Sequence, residues 1–149
     1  MPQAPVFFDT WGWCAFFNPT DDHHEFVKSL WESLRGDTAP ILTSWNVITE
    51  TIGFACSGRG VREWARDGGY QVGRTFHDWV QRELFAAVLL ASEAQLKDAL
   101  ALRLRHGAVP KLSHVDCVTA VLLRDIPACR LLSGDSHFQH LLPGVSMLP

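Results

Sequence analysis

Asp9, Glu50, Asp116 and Asp135 each stand beside an apolar run of the chain. Asp9 closes Val6-Phe7-Phe8, and Asp135 follows Arg130-Leu131-Leu132-Ser133-Gly134. Glu50 lies in the segment after Ile41-Leu42-Thr43, and Asp116 falls within Leu112-Ser113-His114-Val115-Asp116-Cys117, at the head of an apolar helix. Carboxylates at the mouths of parallel strands are a common way to hold a divalent cation in an α/β fold. Gathered together they repel, and their pKa values rise unless a cation is present. Mg²⁺ or Mn²⁺ answers that need, and magnesium keeps several of its waters when few carboxylates bind it. One such water can act as a nucleophile while the ion stabilises charge on a phosphoryl oxygen.

Taken singly, each acid has a structural explanation. Asp9 and Asp135 precede short helices and could be N-caps. Ser113 and Asp116 have capping-box spacing. Glu50 points away from the apolar face of its helix and could simply be solvated. The joint case rests on topology, because strands alternating with helices argue for a parallel sheet covered on both faces. In such a sheet the C-terminal strand ends share one rim, where ligands bind.

The elements that must position these groups can be read along the chain. Residues 6–9 form a buried strand and 11–17 a short helix ended by Asn18-Pro19. Thr20 caps a helix running to about residue 34, with Phe26, Leu30, Trp31 and Leu34 as its stripe. A strand follows at 41–43. Ser44 then caps a helix with Val47, Ile48, Thr51, Ile52 and Ala55 on one face. A short helix sits between the glycines of 57–69, another helix covers 74–82, and 84–90 reads as a strand. Ser92 and Gln95 make a capping box for a helix to about residue 106, with Leu96, Ala99, Leu100 and Leu104 inward. A helix over 114–124, a strand at 130–133, a helical turn and a strand at 145–148 complete the chain. We read one domain over 1–149.

Bulk properties narrow the classes. The 149 residues can bury a core, and 47% hydrophobic with 19% charged residues is ordinary for a globular protein. Six Trp and nine Phe imply core plus at least one sticky surface. A net charge of −3 gives no global basic footprint, so a nucleic acid must meet a local patch. Arg59, Arg62 and Arg66 supply one candidate at i, i+3 and i+7, with Arg74 nearby; the alternative is a solvated helix with internal pairs to Glu63 and Asp67. Cys14, Cys56, Cys117 and Cys129 lack any CxxC pairing and read as buried free thiols in a reducing, cytoplasmic setting, and no signal peptide or membrane-spanning run is expected.

The segments Phe8-Asp9-Thr10-Trp11, Thr43-Ser44-Trp45-Asn46-Val47-Ile48-Thr49-Glu50-Thr51, Leu112-Ser113-His114-Val115-Asp116-Cys117 and Ser133-Gly134-Asp135-Ser136-His137-Phe138 resemble, in order and spacing, the four motifs of PIN-domain ribonucleases. The resemblance is strongest to the VapC-type toxins of bacterial toxin–antitoxin modules, and it covers essentially the whole chain. It implies a three-layer α/β/α sandwich with a central parallel sheet of about five strands, and Mg²⁺- or Mn²⁺-dependent hydrolysis of RNA phosphodiesters. Asp9, Glu50, Asp116 and Asp135 would form the acidic quartet, with Asp9 and Asp116 as direct ligands. Glu50 and Asp135 would act partly through water, and Thr10 and Ser133 would be hydrogen-bonding neighbours. A homodimer and a cognate antitoxin are implied as partners. Two departures stand out: Ser136 occupies a position where many relatives carry Arg, and the overall charge is acidic.

Other readings weigh less. His137 with His140, and His114 with Cys117, have spacings compatible with zinc, but they do not pair into a recognisable ligand set. A haloacid-dehalogenase-like phosphatase needs a second Asp where this chain has Trp11. A receiver domain needs an acidic pair near the first strand and a late Lys. A catalytically silent PIN-like protein or RNA-interaction module remains the alternative from a different class.

Overall fold

The computed structural model describes residues 3–36, 39–57, 64, 67–82 and 86–149. Val6-Phe7-Phe8 forms β1 (Val6–Phe8), whose three side chains are wholly buried, as a strand covered on both faces requires. Around it lie β2 (Ile41–Ser44), β3 (Ala87–Leu89), β4 (Arg130–Leu132) and β5 (Ser146–Leu148). Every pairing is parallel, and the five-stranded order is β3-β2-β1-β4-β5. The helices are α1 (Thr10–Phe17), α2 (His24–Gly36), α3 (Trp45–Ser57), α4 (Asp67–Gln81), α5 (Glu93–Arg105), α6 (His114–Arg124) and α7 (His137–Leu141). The expected α/β architecture with a central parallel sheet is therefore present.

That strand order positions the site. From β1 the chain steps outward through β2 to β3, then returns to the far side of β1 for β4 and β5. Right-handed crossovers place the helices of the two halves on opposite faces, which opens a crevice between the C-terminal ends of β1 and β4. Phe8 is in register with Leu132, and the Asp9 N–H donates to the Leu132 carbonyl at 3.2 Å. Asp9 and Ser133 consequently leave the sheet side by side.

Several boundaries differ from the sequence reading. α2 begins at His24 rather than after Thr20. The Thr20 hydroxyl donates to Asn18 Oδ1 at 2.8 Å and the His23 N–H to Asp21 Oδ1 at 2.8 Å, so side chains hold this stretch in turns before the helix starts. α4 begins at Asp67, well before residue 74. Its glycines hid it, because their role is close approach: a Cβ on Gly69 would collide with the Ala55 carbonyl of α3, and one on Gly73 would reach Cys56 Sγ at 2.9 Å.

β3 is shorter than the expected 84–90, and residues 83–85 lie outside the described residues. α5 is turned relative to expectation. Ala99 and Leu102 are buried while Leu100 and Leu104 face outward, because α5 packs chiefly on α6 and only one of its faces is covered. Among the cysteines, Cys117 and Cys129 are buried, but Cys56 is exposed, against the expectation of buried thiols. The Ser92–Gln95 capping box is formed as read, with bonds of 3.1 and 2.9 Å. No helix among the described residues is long and apolar enough to cross a membrane.

Beneath the crevice the core is aromatic. Trp13 is fully buried, with ring centroids 4.9 Å from Phe8 and 5.0 Å from Phe76. Its indole N–H donates to the Thr43 hydroxyl at 3.1 Å, which in turn donates to the Phe8 carbonyl at 3.0 Å. This relay fixes α1 against β1 and β2 immediately below Asp9. Thr43→Val keeps the shape but removes the hydroxyl that both accepts and donates. Urea denaturation should show a loss of about 1–3 kcal/mol.

Candidate metal centre

Asp9 follows β1 and precedes α1 with the backbone angles of an N-cap, yet its side chain caps nothing. Instead Oδ2 accepts a 2.8 Å bond from the Ser133 hydroxyl, and Oδ1 is buried without a donor. The residue is 3% exposed, a costly place for a charge. Burial above all, with the charges of Asp116 and Glu50 adding, raises its pKa from 3.8 to about 7, even though Ser133 and the Thr10 backbone pull it down.

Ser133, the residue after β4, works in both directions. While donating to Asp9, its oxygen accepts the Asp135 N–H at 3.1 Å. The loop is tightened again where Asp135 Oδ1 accepts the His137 N–H at 2.9 Å. Asp135 therefore plays a turn-forming role at the start of α7, next to its place on the rim.

The local reading of Asp116 holds. As the third residue of α6 it completes a capping box: its N–H donates to Ser113 Oγ at 3.0 Å and its Oδ2 accepts the Ser113 N–H at 2.9 Å. That leaves Oδ1 outside the box. Burial raises the Asp116 pKa, with Asp135 adding and Ser113 and His137 opposing.

Glu50 lies off the buried stripe of α3 (Val47, Ile48, Thr51 and Ala55) but is half-buried rather than freely solvated. Its pKa is raised by burial and by Asp116. The Thr10 hydroxyl lies close enough to favour the ionised Glu50, but outside good hydrogen-bonding geometry. Charge repulsion thus couples Asp9, Glu50 and Asp116 to one another, and Asp116 to Asp135.

His137 is the residue the sequence reading placed differently. It was paired with His140 as a possible zinc ligand, but Nδ1 lies 2.9 Å from Asp135 Oδ1, without a properly directed hydrogen bond. One donor atom each from Asp116, Asp135 and His137 falls within 4.8 Å of the others. The signal was an Asp-x-His spacing across a helix start. The zinc set does not assemble, since Cys117 is fully buried and His140 is exposed apart from this group. Asp116, Asp135 and His137 form a donor set that fits a divalent cation, and the orphaned Asp9 oxygen belongs to a residue charge-coupled to Asp116 but outside that group. Arg59, Arg62 and Arg66 lie outside the described residues; Arg74 is exposed on α4.

VapC20 of Mycobacterium tuberculosis, a sarcin–ricin loop cleaving toxin, is similar in structure, with a TM-score of 0.63 and 22% identity over 80% of this chain and 81% of that one. VapBC2 from Rickettsia felis, solved bound to a DNA fragment from its promoter, gives a TM-score of 0.60 at 11% identity over 96% of both chains. The fold is PIN-like. No family model matches the sequence, and no curated protein does. In this PIN-like fold Asp9 and Asp135 flank the point where the strand order reverses, with Asp116 and Glu50 brought in from α6 and α3.

The raised carboxylates have a consequence for stability. An acid whose folded pKa exceeds its unfolded value favours the fold at low pH, and that contribution is lost as pH rises through the folded value. For Asp9 the window runs from 3.8 to about 7. Metal-free protein should therefore melt at lower temperature as pH is raised through that window. Asp9→Asn should flatten the profile and raise the melting temperature near neutrality by several degrees in calorimetric scans.

Proposed function

We propose that the chain is a Mg²⁺- or Mn²⁺-dependent ribonuclease, the toxin of a toxin–antitoxin pair, which hydrolyses RNA phosphodiester bonds at the crevice between β1 and β4. What supports this reading is the charge coupling of Asp9, Glu50 and Asp116, the grouping of Asp116 with Asp135 and His137, and a buried Asp9 oxygen lacking any donor. The fold similarity to a sarcin–ricin loop cleaving toxin supports it. The similarity to VapBC2 supports a cognate antitoxin, and we extend the proposal to a homodimer.

In this reading Asp9 and Asp116 would hold the ion directly, Asp135 and His137 would offer further donors, and Glu50 would orient water. When bound, a cation would supply charge neutralisation at the phosphate and activation of a water. The chain's own part is positional. Ser133 locks Asp9 Oδ2, so that Oδ1 is left for the ion. The capping box holds Asp116 at the head of α6. Burial keeps bulk water from screening the charges.

Mn²⁺ titration by calorimetry, run beside cleavage of a mixed RNA pool, tests this directly. Wild-type protein should bind Mn²⁺ saturably and cut RNA. Folded Asp9→Asn and Asp116→Asn variants should lose binding, with cleavage falling by more than the ~10–100-fold that outer-shell changes cost. Mn²⁺ binding indifferent to both substitutions would remove the basis for the reading.

His137 gives a separate expectation. Imidazole favours Co²⁺ and Mn²⁺ over Mg²⁺ more than carboxylate oxygen does. His137→Gln should therefore weaken Co²⁺ binding by about tenfold while changing Mg²⁺ binding far less, as read by competitive calorimetry.

A further inference from the structure

Beside the acidic crevice lies a second feature that phosphate chemistry leaves unused. A cleft of about 360 Å³ is lined in part by Trp11, His23, Ser133, Gly134, Ser136 and Gln139. Ser133 belongs to both places, since it walls the cleft and donates to Asp9. The volume falls at the small end of the range for sites that enclose a planar organic group.

Trp11 is held there rather than buried. Two residues on, Trp13 takes the core position and is fully buried, whereas Trp11 is only partly buried. Its indole rests on the backbone of Gly134, where a Cβ would overlap Nε1 and Cε2. The His23 ring packs against it in a T-shaped contact, with centroids 4.9 Å apart at 61°. A glycine backbone and a second ring therefore fix a large aromatic at the surface, next to the candidate metal centre. Ser136 and Gln139, both exposed, add hydrogen-bonding groups to the same wall. No Lys or Arg is among these lining residues, and the whole chain carries a net charge of −3. An anionic polymer would find little attraction through its phosphates here, but stacking on an aromatic needs no charge.

We infer that this cleft is a nucleobase subsite, in which a single-stranded RNA base stacks on Trp11 with its edge toward Ser136 and Gln139, beside the phosphate at the acidic crevice. The inference rests on the ribonuclease reading and names how that site would take hold of its substrate. Stacking is tolerant of base identity, so the subsite supplies affinity for single strands and leaves sequence choice to the polar wall.

The test measures affinity for a fluorescein-labelled, mixed-sequence single-stranded RNA dodecamer by anisotropy, in an Asp116→Asn background that blocks turnover. Added Trp11→Ala should weaken binding about tenfold or more, while Trp11→Phe, which keeps a stacking face, should stay within about threefold of the background protein. Gly134→Ala, which displaces the indole without removing it, should weaken binding as Trp11→Ala does. Circular dichroism melts confirm folding, and Mn²⁺ calorimetry on single Trp11→Ala should match wild type. RNA binding unchanged by Trp11→Ala, or lowered equally by Ala and Phe, would overturn the subsite alone. A cleft that serves a peptide partner would give the former result. If the background protein and wild type both fail to bind the dodecamer saturably, the ribonuclease reading falls, and the subsite with it.

Discussion

The Ser133 hydroxyl ties together two strand ends that are neighbours only because the sheet reverses its order. It donates to Asp9 after β1 and accepts from the Asp135 backbone after β4. The residues it joins are far apart in sequence, and the parallel register of Phe8 with Leu132 delivers them to the same level. Without that register the acids would be scattered caps and surface charges. With it, one hydroxyl orients a carboxylate, anchors the loop that carries a second, and forms the wall of the neighbouring cleft.

The same convergence stores electrostatic tension. Local bonds satisfy Asp116 through Ser113, and a hydroxyl satisfies half of Asp9, but Thr10 at Glu50 and His137 at Asp116 offset the effects of burial and repulsion only in part. Structural carboxylates are ordinarily paired with cations or donors when buried. Here protonation of a carboxyl or a bound cation would relax the arrangement. The rigid base beneath it, formed by Trp13, Thr43 and the Phe8 carbonyl, keeps these groups from moving apart.

Aromatic residues divide between support and surface along one short helix. Trp13 packs on Phe8 and Phe76, and Phe16 and Phe17 extend the cluster to Trp79, which stacks on Trp31 at 5.7 Å. Among the aromatics of α1, Trp11 is the one set against Gly134 beside the site. Glycines serve both halves of this arrangement. Gly69 and Gly73 let α4 lie close on α3, and Gly134 admits the Trp11 indole, because in each place the space a Cβ would need is already filled.

Local chemistry was readable from the chain itself. The all-apolar Val6-Phe7-Phe8, the alternation of strands and helices, and the capping boxes at Ser92 and Ser113 depend on neighbours within a few residues, and each was found where the pattern put it. The four acids were legible as candidates, because each stands beside an apolar run. Their ionisation was not, since the Asp9 pKa depends on burial and on charges carried by α3 and α6. Leu100 and Leu104 were misplaced because a leucine's side of a helix is decided by which partner covers it, and α5 packs chiefly on α6. The Asp-x-His spacing hinted at His137 beside Asp135, but its grouping with Asp116, and the seat of Trp11 on Gly134, come from contacts between elements. Sequence determined which groups were available; tertiary packing decided which of them share a dielectric environment, because that depends on distance through space rather than along the chain.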